Sequence, residues 1–187
     1  MRIVSKNDVI NSRPEFVKEI LAGAVFIYPT DTIYGIGCDA TNGASVKRIR
    51  ELKNRDKKPF SVIAPSIEWV REHCILSDKA KTWLLKLPGP YTLVLKMKNP
   101  TVVSAQTNMG MKTIGVRLPD HWIAEFVASV GKPIITTSVN KAGKPPAAIK
   151  QELEMFDVDF IIYEGDKQGK PSTIVDLTGG EKIIQRQ

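Results

Sequence analysis

Two histidines and two cysteines in 187 residues leave little for several common catalytic chemistries. Cys38 and Cys74 stand alone, with no CxxC and no His/Cys cluster, so the spacing offers neither a zinc site nor a disulfide framework. His73 adjoins Cys74, but neighbours on a helix point in different directions, which argues against a shared metal. A Ser/His/Asp triad has only His73 and His121 to draw on, and His121 follows "RLPD" at an expected helix start, where a structural or capping role is expected. No G-x-x-x-x-G-K-[ST] is present, which excludes a P-loop, and no G-x-G-x-x-G opens a helix. Aromatic residues make up 7%, with no stacking motif of the kind that reads single-stranded RNA. No run of 18 apolar residues exists, and "MRIVSKNDVINSRPEF" lacks the apolar segment of a signal peptide. The expectation is a protein of the reducing cytoplasm with no membrane contact.

Positive charge is what the chain has in excess. The formal net charge is +7 and the pI about 9.4, which favours anionic partners such as nucleotides or nucleic acid. Most of the excess lies in one run. Between Lys47 and Lys58 there are seven basic residues (Lys47, Arg48, Arg50, Lys53, Arg55, Lys57, Lys58), opposed by Glu51 and Asp56. Taken alone, such a run reads as a solvated helix face.

Hydrophobic periodicity predicts alternating strands and helices. Ser12, Pro14 and Glu15 form a helix-start signal, followed by Phe16, Val17, Ile20 and Leu21 at helical spacing and by Gly23 at the end. A strand is expected at 24–28, then the polar, glycine-containing "PTDTIYGIG". A helix from about Asn42 carries Val46, Ile49 and Leu52 and ends in the basic run, because Pro59 biases Lys58 to an extended state. Further strands are expected at 60–64, 91–97, 113–118 and 133–139, and in "DFIIYE", "STIVDL" and "KIIQR". Helices are expected at 67–74 and 78–87, capped by Ser66 and Ser77, after Asp120 and closed by Gly131, and around Ile149, Leu153 and Phe156. The segment 98–112 has no periodicity and includes Gly110, which permits a lid. The whole argues for one α/β domain over 1–187, with a twisted, mixed open sheet flanked by helices.

Ligands in open α/β sheets bind where strands end. Thr30, Asp31, Thr32 and Tyr34 follow the first of these strands, and Ser138 and Asn140 follow "PIITT"; each is also an ordinary turn residue. Arg117 is more telling. Strand alternation puts it with Thr113 and Gly115, opposite Ile114, Val116 and Leu118. A guanidinium inside an apolar strand needs an anionic partner if buried. That partner is either a substrate carboxylate or phosphate, or an internal Asp or Glu.

Six segments in order then resemble one family: "YPTDTIYGIG" (28–37), Lys53-x-Arg55 before "KPFSV", "PGPYTLVL" (88–95), "TIGVRLPDH" (113–121), "TTSVN" with Ser138-x-Asn140, and "PSTIVDLTG" (171–179). No one of them is specific, but together and in order they resemble the YrdC family of L-threonylcarbamoyladenylate synthases, in the short form without a further C-terminal domain. The resemblance implies a nucleotidyltransferase that makes L-threonylcarbamoyl-AMP and pyrophosphate from L-threonine, bicarbonate or CO2, and ATP. Mg²⁺ would be carried by the nucleotide, with no metal site of the protein's own. A downstream threonylcarbamoyl-transferase complex would then modify tRNA.

By matching positions, Lys53 and Arg55 are expected at the ATP phosphates. Thr113, Ser138, Asn140 and Arg186 are expected to hold the nucleotide. Arg117 would take the threonine carboxylate, with Thr32, Thr136 and Ser172 completing that pocket. Lys47, Arg48 and Lys57 keep the solvated reading. Three departures from the family pattern stand out: a linker from Arg55 to Pro59 shorter by one residue, Ile63 in place of a histidine found in some members, and Pro146 in place of a common serine. Two alternatives remain at this stage. One is a paralogue that binds double-stranded RNA or tRNA without efficient synthesis. The other is the related hydrogenase-maturation domain, which normally sits in a longer chain with zinc fingers.

Overall fold

A computed structural model describes residues 1–55 and 58–186. The expectations for Lys57 and for the shortened linker lie outside the described residues. In chain order the elements are β1 (Arg2–Val4), α1 (Lys6–Asn11), α2 (Arg13–Leu21), β2 (Phe26–Tyr28), β3 (Gly35–Gly37), α3 (Gly43–Lys53), β4 (Ser61–Ile63) and α4 (Ile67–His73). There follow β5 (Cys74–Ile75), α5 (Asp78–Leu84), β6 (Tyr91–Met97), a 3-10 turn (Pro100–Val102), α6 (Ala105–Asn108) and β7 (Thr113–Arg117). The last are α7 (Ile123–Val130), β8 (Ile134–Ser138), α8 (Lys150–Leu153), β9 (Phe160–Ile162), β10 (Thr173–Asp176) and β11 (Lys182–Ile184).

The strands form a mixed open sheet in the order β1-β9-β2-β3-β8-β4-β7-β6-β10-β11, with β5 attached to β6. The β4–β7 and β6–β10 pairs are parallel, whereas β8–β4 and β7–β6 are antiparallel. This is the expected α/β class. No described helix is long and apolar enough to cross a membrane.

Alternation along the strands makes two cores, one on each face. Ile27, Val62, Val116, Ile135 and Ile161 belong to the larger core, shared with Val46 and Ile49 of α3. Phe26, Tyr28, Ile63, Ile134 and Phe160 face the smaller core, which α2 and α7 close with Phe16, Ile20, Phe126 and Val130. Beyond β4 the second face is no longer filled by this smaller core. Thr92 and Val94 of β6, Thr113, Gly115 and Arg117 of β7, and Ile174 of β10 line a cavity there instead.

Several local signals act as read. Asn42, Ser66 and Ser77 each accept a hydrogen bond from a backbone N–H in the first turn of the helix that follows. Others do not. Ser12 makes no side-chain cap, because the chain turns there between α1 and α2; the capping box belongs to Ser5 and Asp8 one helix earlier. Asp120 does not cap α7; Trp122 holds the N-cap position without a side-chain cap, and the preceding His121 accepts at Nδ1 from the Ile123 N–H at 3.3 Å. The helix around Ile149 is four residues long, with Phe156 buried beyond its end. The segment 98–112 is docked rather than free. Ser104 N–H donates to Ala40 O at 2.9 Å, Phe60 N–H donates to Thr107 O at 2.9 Å, and Thr107 and Asn108 are buried.

Candidate active site

The cavity of about 260 Å³ opens on the middle of the sheet. Its wall holds three guanidiniums (Arg55, Arg117, Arg186) and many hydroxyls, and no carboxylate or imidazole of the described residues lines it. It gathers the expected Thr32, Thr113, Thr136, Ser138 and Ser172 from segments more than a hundred residues apart. A second recess of about 390 Å³ adjoins it across Arg55 and Ser138, lined also by Lys53, Lys58 and Asn140. Arg55 therefore stands on the divide between the two.

Arg117 is 5% exposed at the end of β7. Its Nη2 donates to Asp31 Oδ1 at 2.6 Å and its Nη1 to Thr32 Oγ1 at 3.3 Å. Of the two partners open to it from sequence, the internal carboxylate is thus present. Asp31 is fixed in turn by the Asp120 N–H, at 3.1 Å. Yet Arg117 Nε is sealed from solvent without a partner among the described residues. Gly115, two residues earlier in β7, admits the close approach of Ser61, because a Cβ there would lie 2.4 Å from Ser61 Oγ.

Arg55 repeats the pattern. Nη2 donates to Pro59 O at 2.9 Å, Nη1 reaches Thr137 Oγ1 at 3.3 Å, and its Nε is buried without a partner among the described residues. Burial, then the charges of Arg50 and Arg186, holds its guanidinium below the ordinary arginine range. Arg186 follows β11 and is lowered likewise, by burial and then by Arg117. It donates through Nε to Ser172 O at 2.9 Å and through Nη2 to Ser172 Oγ at 2.6 Å, and that hydroxyl also bonds Thr92 Oγ1 at 2.7 Å. The final strand is thereby tied to the cavity floor. Three guanidiniums thus share one wall, and two of them have buried Nε atoms without a partner among the described residues, an arrangement suited to anionic groups.

Lys53 is the one expected phosphate ligand whose donors are already spent. Its ammonium donates to Ser138 O, to Asn140 O at 2.9 Å and to Asn140 Oδ1 at 2.8 Å, at 2% exposure. An ammonium has three N–H groups, so all are occupied within this loop. Burial, with Arg55 adding, pulls Lys53 down to about 7. Ser138 Oγ donates to Asn140 Oδ1 at 2.7 Å, and Asn140 Nδ2 donates to Lys144 O at 2.6 Å, so the loop after β8 is wound around the Lys53 head.

The rim is set by the β9–β10 connection. Tyr34 Oη donates to Gly165 O at 2.7 Å, and Lys167 Nζ donates to Thr30 O at 3.2 Å. Gly169 passes so close that a Cβ would lie 2.0 Å from Thr32 O. His121 stands off the cavity wall, with Nε2 3.0 Å from Glu164 Oε2.

The departures also find their places. Ile63 is fully buried in the smaller core and does not line the cavity. Pro146 borders an apolar recess with Met155 and Phe156, beside Asn140. Sequence reading missed Ser61, Thr92 and Thr137 as wall residues; Thr92 was open to strand alternation, since it shares the face of Val94 in β6.

Residues 18–187 match the Sua5/YciO/YrdC family, described as "Telomere recombination". A putative threonylcarbamoyl-AMP synthase of Methanocaldococcus jannaschii is 36% identical over 179 residues, which cover 91% of this chain and 82% of that one. The threonylcarbamoyl-AMP synthase of Marinobacter nauticus is 33% identical over 176 residues, covering 88% and 90%. Among solved structures, P. abyssi Sua5 complexed with L-threonine superposes with a TM-score of 0.81 at 29% identity, covering 95% of this chain. This chain spans about half of that one, 54%. On the matched length and these identities, the chain belongs to the Sua5/YciO/YrdC family.

Proposed function

We propose that the protein is an L-threonylcarbamoyladenylate synthase, joining L-threonine, bicarbonate or CO2, and ATP into L-threonylcarbamoyl-AMP with release of pyrophosphate. The observation that carries this reading is the pair of buried guanidinium Nε atoms of Arg55 and Arg117 that have no partner among the described residues, in a wall to which no described residue contributes a carboxylate. Two separate anionic groups satisfy them, one at each arginine. The synthase names of relatives that align over most of this chain support the choice of reaction.

Arg117, oriented by Asp31, takes the threonine carboxylate, with Thr32, Thr136 and Ser172 around it. The threonine amine adds to CO2 and loses a proton, giving a carbamate. A carbamate oxygen attacks the α-phosphorus, the bond to the bridging oxygen breaks, and pyrophosphate leaves with that electron pair. Nucleotidyl transfer of this kind depends on positioning and charge stabilisation. Arg55, between the two recesses, stabilises the charge growing at the phosphates. Lys53 acts beside it through the Ser138–Asn140 loop, while Thr113, Ser138, Asn140 and Arg186 border the nucleotide. Mg²⁺ enters as part of the ATP substrate.

We infer a cytoplasmic setting and a product passed to a transferase acting on tRNA. The RNA-binding paralogue is not favoured, because the relatives carry the synthase name. The deciding experiment incubates the protein with Mg-ATP, bicarbonate and L-threonine and follows pyrophosphate. Release that needs all three substrates supports the synthase; no release from folded protein, with salt-sensitive tRNA binding, supports the paralogue instead.

A further inference from the structure

Arg50 belongs to the basic run, lies on α3, and is 5% exposed. It does not line the cavity, and none of the steps above uses it. Its guanidinium is nonetheless heavily engaged. Nε and Nη2 both donate to Gln106 O, at 2.9 and 2.6 Å. Nη1 donates to Arg55 O at 3.0 Å and to Lys58 O at 3.1 Å. The backbone closes the same loop from the other side, because Arg55 N–H donates to Arg50 O at 3.0 Å. The Phe60 ring lies beneath both guanidiniums, 4.4 Å from that of Arg50 and 5.1 Å from that of Arg55.

We infer that Arg50 is a positioning residue for ATP: it fixes the backbone on which Arg55 is mounted and so sets where the Arg55 guanidinium meets the phosphates. The inference rests on the synthase reading of this site. Three features separate it from mere packing. The carbonyls it grips are those of Arg55 itself and of Lys58, which lines the adjoining recess. It joins them to Gln106, so the docked 98–112 segment supports the same backbone. The shared ring gives Arg55 a face to lie on, and the charge of Arg50 opposes any approach of Arg55 toward it. A lysine here keeps the charge but has no planar fork with which to span three carbonyls.

The test uses Arg50→Lys and Arg50→Gln, with Val130→Ala in the smaller core as a control for destabilisation. Wild-type and variants are compared for steady-state pyrophosphate release, for ATP binding and for L-threonine binding by calorimetry. The expected result for Arg50→Lys is a tenfold or larger loss in kcat/KM for ATP and in ATP affinity, with the threonine Kd within twofold of wild-type. Arg50→Gln loses more. Val130→Ala lowers the melting temperature without moving the ATP constants. If Arg50→Lys keeps wild-type ATP constants, or weakens ATP and threonine equally, the inference is overturned while the synthase reading stands. If wild-type neither releases pyrophosphate nor binds ATP, the reading fails and takes the inference with it.

Discussion

Replacing Arg117 separates stability from recognition, and the structure gives a size for each. Its side chain is 6% exposed and that of its partner Asp31 11%, so Arg117→Leu leaves a nearly buried carboxylate without its cation. Breaking such a pair from one side costs about 3–5 kcal/mol. For a chain of 187 residues, at about 2–4 °C per kcal/mol, the melting temperature falls by roughly 6–20 °C. Adding Asp31→Asn removes the stranded charge and restores part of that loss. It does not restore threonine binding, because the guanidinium is gone. Hydrogen bonds to a charged group contribute about 1.5–3 kcal/mol. At about 1.4 kcal/mol per factor of ten, that is a roughly 10- to 150-fold weaker threonine Kd. Calorimetric titration of the folded Arg117→Leu/Asp31→Asn double variant with L-threonine, and separately with ATP, measures both. A threonine affinity within twofold of wild-type refutes the carboxylate assignment. Equal weakening of ATP shows that Arg117 serves the whole cavity rather than one end of it.

Arg55→Ala is expected to lose about 2–4 kcal/mol of transition-state stabilisation, read as a fall in kcat/KM for ATP of roughly 30- to 1,000-fold. A rate within twofold of wild-type contradicts its phosphate role. Lys53 should mark the pH profile. Its value of about 7 lies below the ordinary 10.5, so between the two the folded state binds fewer protons than the unfolded one. The contribution of this group to stability is therefore lowest below about pH 7 and rises toward 10.5. ATP affinity moves the opposite way, because the neutral amine has one donor fewer for the Ser138–Asn140 loop. An ATP Kd that stays flat in wild-type from about pH 6.5 to 9 rules this out. Gly169→Ala should push Thr32 out of place, costing about 1–3 kcal/mol and weakening threonine binding more than ATP binding. Thermal melts and the two titrations read it, and unchanged values mean that the rim adapts without loss.

The strongly patterned elements were legible in the sequence. The 91–97 expectation coincides with β6, and Asn42, Ser66 and Ser77 cap where a short polar side chain before an apolar run should. β3 was not legible, because "GIG" has little strand preference of its own. It is a strand because β2 and β8 pair with it on both sides. β1 and β5 were missed for the same reason: a few residues held by long-range partners. The site divides similarly. The cavity gathers Arg55, Arg117, Thr113 and Ser172, as the ordered segments implied. What each is bonded to depends on folding: Asp31 reaches Arg117 across 86 residues, and Lys53 reaches Asn140 across 87. Local spacing carries no trace of such pairs. Arg50 reaches Gln106 across 56 residues in the same way.

The link from Arg186 to Ser172 makes one wall of the cavity separable from the strand that carries it. Arg186→Ala leaves the β10–β11 ladder, which ends at Ile184, intact. It strips one guanidinium from the wall and frees the Ser172 hydroxyl to bond Thr92 alone. The variant should thus melt close to the wild-type yet bind nucleotide less well, which uncouples the shape of the cavity from its charge.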